Sequence, residues 1–161
     1  MKCEDTLFVY LRFAMSWLFL WPFLDKLFGL GFSTKPADAW LFGGSPTTGF
    51  LRFGTDGPFA YLFQQLAGHA WVDWLFMMGL LGIGLAFLFG IAQRVAAYSG
   101  SLLLLLMWLA AFPPEHNPFL DEHLIFAIIL LLLSEKDAGQ CCGFSKAWCE
   151  TRLVKRFPIL K

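Results

Sequence analysis

The stretch FPPEHNPFLDEH, from Phe112 to His123, lies between two apolar runs and holds Glu115, His116, Asp121, Glu122 and His123. Carboxylates beside imidazoles can pass protons, because burial and neighbouring charge spread their proton affinities over a useful range. Similar groups stand at other apolar boundaries: Asp25 with Lys26 in FLDKLFG, and His69 with Asp73 in HAWVDW. His69 and Asp73 are four residues apart, a spacing that permits a histidine–carboxylate pair on a helix. Such a set suits quinone chemistry at a membrane, where each two-electron reduction takes up two protons and the ring needs a donor at each carbonyl. A structural reading competes with it. Carboxylates are favourable at helix N-termini in any case, and charges at an interface reach for water.

The elements that must position these groups are apolar. The chain has 161 residues, is 58% hydrophobic and only 15% charged, and its mean hydropathy is +0.62. That composition points to an integral membrane protein and excludes an ordinary soluble domain. WLFMMGLLGIGLAFLFGIAQ, between Asp73 and Arg94, and VAAYSGSLLLLLMWLAAFPP, between Arg94 and Glu115, carry no charge. Each is long enough to cross about 30 Å of hydrocarbon. FAMSWLFLWPFL, before Asp25, and HLIFAIILLLLS, before Glu135, are shorter and offer about 18 Å each. If both span, the flanking charges enter the bilayer and must face the bundle interior or a watery funnel, which draws Asp25, Glu122 and His123 inward. A re-entrant segment is the alternative.

The fold class read from this pattern is all-α: an integral membrane four-helix bundle, with short interfacial helices in the first external loop. The spanning domain covers residues 1–134, with helices at about 7–28, 71–93, 95–112 and 120–134. Residues 135–161 form a basic tail with an amphipathic segment. Ala37-Asp38-Ala39 resembles a signal-cleavage site, but it lies far beyond the first apolar core, and Glu4 and Asp5 weaken the leader, so the first span is expected to be retained.

Basic residues set the orientation. Lys2, Arg12, Arg94, Lys136, Lys146, Arg152, Lys155, Arg156 and Lys161 fall on one side, and only Lys26, Lys35 and Arg52 on the other. A multi-pass cell-membrane protein with both termini cytoplasmic follows. Cys3, Cys141, Cys142 and Cys149 then lie in a reducing compartment, and no structural disulfide is expected. No Cys-x-x-Cys faces outward, which argues against a thiol-oxidising enzyme. Haem would require axial histidines within the bundle, whereas His69, His116 and His123 all flank apolar spans, so haem is not expected. No metal site is expected either: Pro113, Pro114 and Pro118 stiffen the loop around Glu115, His116 and His123 without fixing ligand geometry.

Ser45-Pro46 reads as the start of a short helix, PTTGFLRF, ended by Gly54. Phe59, Leu62, Phe63 and Leu66 fall at helical spacing along a surface segment. Gly82, Ala86 and Gly90 recur every four residues and predict close helix contact. Trp17, Trp21 and Asp25 align on one helical face beside Pro22. This face could stack a quinone ring, or serve in packing or in an interfacial aromatic belt. The tail segment GFSKAWCETRLVKRF mixes basic and apolar residues and is expected at the cytoplasmic lipid surface.

LRFAMSWLFLWPFLDKLFG, GGSPTTGF, WLFMMGLLGIGLAFLFGIAQR and NPFLDEHLIFAIILLLL together resemble the DoxX/DoxD-type membrane proteins. The resemblance covers the chain up to Ser134. It implies four spans and a likeness to the DoxD membrane subunit of thiosulfate:quinone oxidoreductase. On that basis the expected function is a quinone-linked redox membrane subunit with quinone as cofactor and a separate redox partner subunit, in the lipid bilayer, with homo-oligomerisation open and no nucleic acid. Asp25, Lys26, Asp121, Glu122 and His123 are the candidates for proton transfer, and Trp17, Trp21 and Arg94 for the quinone. The alternatives are a non-catalytic membrane scaffold and a small transporter using Arg12 and Arg94.

Overall fold

A computed structural model describes residues 3–114, 117, 119–135 and 143–160, and every regular element among them is helical. Glu115, His116, Cys141 and Cys142 lie outside the described residues. Among the described residues the α-helices are α1 (Cys3–Phe28), α2 (Thr48–Phe53), α3 (Ala60–Gln64), α4 (Ala70–Phe89), α5 (Gln93–Ala110), α6 (Glu122–Glu135), α7 (Ser145–Cys149) and α8 (Arg152–Arg156). Among the described residues, three stretches are long and apolar enough to cross a membrane: Thr6–Phe28, Ala70–Phe89 and Gln93–Ala110. At 14 residues, α6 rises only about 21 Å.

Sequence neighbours among these helices pack together: α4 on α1, α5 on α4, and α6 on α5. On α1 the buried positions Val9, Arg12, Met15, Ser16, Phe19 and Phe23 recur at helical spacing, while Leu7, Tyr10 and Trp17 face outward. The matching stripe on α4 is Asp73, Met77, Leu80, Ile83, Gly84 and Phe87. Leu130 and Leu133 of α6 close the core from the far side. Outward faces are as apolar as inward ones, with Trp71, Trp74, Leu75 and Met78 exposed on α4. Lipid tolerates that arrangement and water does not.

The tight contact between α1 and α4 is made at Gly84, and of the expected series Gly82, Ala86 and Gly90, Ala86 is buried in the core whereas Gly82 faces open space. A Cβ on Gly84 would stand 2.6 Å from Leu20 Cγ, whereas one on Gly82 would meet nothing within 4 Å. Backbone proximity at this level also lets Ser16 Oγ donate to the Gly84 carbonyl at 2.8 Å. Gly90 has a different task. It adopts the left-handed conformation at φ 70°, caps α4 by donating to Ala86 O, and is followed by Ile91 N–H donating to the same oxygen at 3.0 Å. This is a Schellman-type stop. It ends the helix at Phe89 rather than near residue 93, and places the turn at 90–92, so Gln93 and Arg94 open α5.

Gly84→Ala is therefore expected to destabilise the protein by about 1–3 kcal/mol through overpacking against Leu20. Gly82→Ala should be neutral or stabilising by up to ~1 kcal/mol, the helix-propensity gain. Thermal unfolding of the two variants in one detergent checks the contrast, and equal effects would mean that α1 and α4 do not meet at Gly84.

Candidate functional site

Two tryptophans one turn apart on the outward face of α1 begin the site. The rings of Trp17 and Trp21 stand 5.7 Å apart, tilted by 36°. With Leu18 and Pro22 they line a shallow apolar groove of about 460 Å³. Pro22 has no N–H to give to the preceding turn, so the groove lies where the helix ladder is interrupted.

Beyond the groove the chain doubles back. Gly29, at φ 67°, ends α1, and Gly31, at φ 88°, continues the reversal, its N–H donating to Thr34 O at 3.0 Å. A Cβ on Gly29 would lie 2.6 Å from Pro36 Cα, so only glycine satisfies both the backbone angle and the space. The reversal sets Phe32 edge-on against Trp21, centroids 4.9 Å apart. It also brings three donors onto Asp25: Phe32 N–H at 3.2 Å, Ser33 N–H at 2.8 Å and Ser33 O–H at 2.6 Å. Asp25 is only 1% exposed. Lys26 Nζ donates to Ser33 Oγ at 3.4 Å. A chain of hydrogen bonds, Lys26 to Ser33 to Asp25, thus lies just past an aromatic groove.

The other polar candidates sit apart from this chain. Asp121 Oδ1 accepts from His123 N–H at 3.0 Å and Leu124 N–H at 3.3 Å, so the residue caps α6. Its second oxygen meets His123 Nδ1 at 2.7 Å. A carboxylate on Nδ1 fixes the imidazole and leaves Nε2 to exchange a proton. Glu122 is exposed in the first turn of α6. Arg94 is exposed in the first turn of α5, next to the turn that ends α4, whereas Asp25 lies in the last turn of α1. Among the described residues no hydrogen bond or ion pair joins Asp25 or Lys26 to Asp121, Glu122, His123 or Arg94.

Asp73 is held in the same manner as Asp25. It accepts from Ser45 O–H at 2.8 Å, Thr47 N–H at 3.2 Å and Thr47 O–H at 2.5 Å. Its partners are loop residues; the Asp73 N–H donates to the carbonyl of the exposed His69 at 3.4 Å, but among the described residues no hydrogen bond joins the Asp73 carboxylate to the His69 ring. Ser45 also accepts from Thr48 N–H at 3.1 Å, which starts the turn leading into α2. Ser33, Ser45 and Thr47 are the residues that sequence reasoning missed. For Ser33 a signal exists, because two glycines in DKLFGLGFS can return the chain to Asp25. For Ser45 and Thr47 the partner is 28 and 26 residues away, with no local cue.

Among the described residues, no three His, Cys, Asp or Glu side chains converge as metal ligands. Cys149, half-buried in α7, is a free thiol. No family model, curated protein or solved structure matches the chain.

Proposed function

We propose that this chain is the membrane subunit of a quinone-linked oxidoreductase, working with a separate subunit that takes electrons from a donor such as thiosulfate. The observation that carries the reading is the aromatic groove of Trp17, Trp21 and Pro22, with the Lys26–Ser33–Asp25 chain beyond it. The groove offers flat π surfaces open to the lipid phase, from which an apolar quinone would arrive. A quinone that accepts two electrons also takes up two protons. Lys26 has ammonium protons beyond the one shared with Ser33 and can donate to a carbonyl oxygen. Ser33 passes a proton between Lys26 and Asp25, and His123 with Asp121 gives a second exchange point nearer water. The resemblance to DoxX/DoxD-type proteins supports the same reading. In it α6 completes a four-helix membrane bundle and both termini are cytoplasmic.

Titrating the purified chain with a short-chain quinone tests the proposal. Trp21→Ala and Trp17→Ala are each expected to weaken binding about tenfold, equivalent to ~1.4 kcal/mol. Thiosulfate-dependent quinone reduction by membranes holding chain and partner should fall in Lys26→Met, whose bond to Ser33 is long and exposed, with protein level unchanged. Unchanged affinity in both tryptophan variants would remove the groove as the site.

A non-catalytic membrane scaffold is the second reading, favoured by a specific observation: Asp25, Asp73 and Asp121 all hold backbone N–H groups. Under it, Lys26→Met would change no redox activity, and aspartate variants would alter assembly and stability alone.

A further inference from the structure

The segment Gly143–Leu160 is not used by the quinone reading, yet it is folded against the helix ends. Phe144 N–H donates to Phe89 O, the last residue of α4, at 2.8 Å. Trp148 Nε1–H donates to Leu160 O at 2.6 Å. Val154 is 1% exposed, Thr151 caps α8, and the 3₁₀ turn Pro158–Leu160 packs on α5. Despite these contacts, Phe144, Leu153, Phe157 and Ile159 stay between 48% and 69% exposed. Around them stand four exposed cations, Lys146, Arg152, Lys155 and Arg156, against one carboxylate, Glu150.

We infer that this segment is a docking surface for anionic phospholipid. Its position argues for lipid: it is tied to the turn where α4 ends and α5 begins, the level at which two membrane-spanning stretches meet the headgroups. Its chemistry argues for anionic lipid, since large apolar side chains enter the acyl boundary while neighbouring cations pair with phosphates. Arg156 already lies 5.5 Å from the Phe157 ring, an apolar and a cationic group side by side. The inference rests on the reading that the long helices cross a bilayer and is independent of quinone binding. The partner is a lipid surface, not a second copy of the chain or a protein.

The test is amide exchange on the full chain in nanodiscs of phosphatidylcholine alone and of equal parts phosphatidylcholine and phosphatidylglycerol. Exchange across α8 is expected to be about tenfold slower in the anionic discs. The difference should vanish in ~1 M salt, where the Debye length is about 3 Å. It should vanish likewise in K146Q/R152Q/K155Q/R156Q, with α4 and α5 still exchanging as in wild type. The salt arm needs no variant, so a misfolded variant would not spare the inference. Equal rates in both discs would overturn it. So would protection that survives high salt, or that falls on dilution, which would mark a protein partner or a second copy.

Discussion

Asp25→Ala is expected to lower stability by about 3–5 kcal/mol and to release the turn at 29–34. Each hydrogen bond to a charged group contributes roughly 1.5–3 kcal/mol, and Asp25 accepts three. The sum is reduced because Phe32 and Ser33 are exposed, so their donors regain water once released. Unfolding in detergent and amide exchange at Phe32 and Ser33 measure the two consequences. A variant as stable as wild type would show that the carboxylate does not hold the turn. Asp25→Asn separates structure from chemistry: it keeps one acceptor oxygen but cannot carry a proton as an acid. If it stays within ~1 kcal/mol of wild type and still loses quinone reduction, Asp25 acts in proton transfer. If it loses stability and activity together, the turn explains both.

The long helices were legible because their signal is local. Twenty apolar residues in succession specify a span regardless of what lies beside them. Gly90 shows where that reading stops. Its four-residue spacing from Ala86 and Gly82 fits a packing stripe, yet its left-handed angle makes it the end of α4, and the two uses look alike in sequence. Gly84, which does make the contact, lies outside that series. The carboxylates show a second limit. Their placement at helix ends could be read, but their partners could not, since Ser45 and Thr47 meet Asp73 across 28 and 26 residues of chain. His69 and Asp73 had the right spacing for a pair, and the hydroxyls took the carboxylate instead. His123 found Asp121 at a spacing of two, by way of the helix cap.

Asp73→Ala should likewise cost about 3–5 kcal/mol, because two of its three donors, the Thr47 N–H and O–H, are buried with it. Asp73 is 8% and Thr47 6% exposed, so Thr47 would be left with an N–H and a hydroxyl in a site that water reaches poorly. Thr47→Val keeps the shape, removes the 2.5 Å bond, and is expected to cost about 1.5–3 kcal/mol. Combining the two gives a cycle: the double variant should be less destabilised than the sum of the singles by about 1 kcal/mol or more, since each single breaks the same bond. Asp73→Ala with Asp25→Ala should be additive within ~0.5 kcal/mol, because the two carboxylates share no partner. Strong coupling in that second pair would mean that the two loops act as one unit over the end of the helices. The Lys26–Ser33–Asp25 chain would then depend on the loop at Asp73, and the quinone reduction proposed for it should fall in the Asp73 variant even though, among the described residues, no hydrogen bond joins Asp73 to its members.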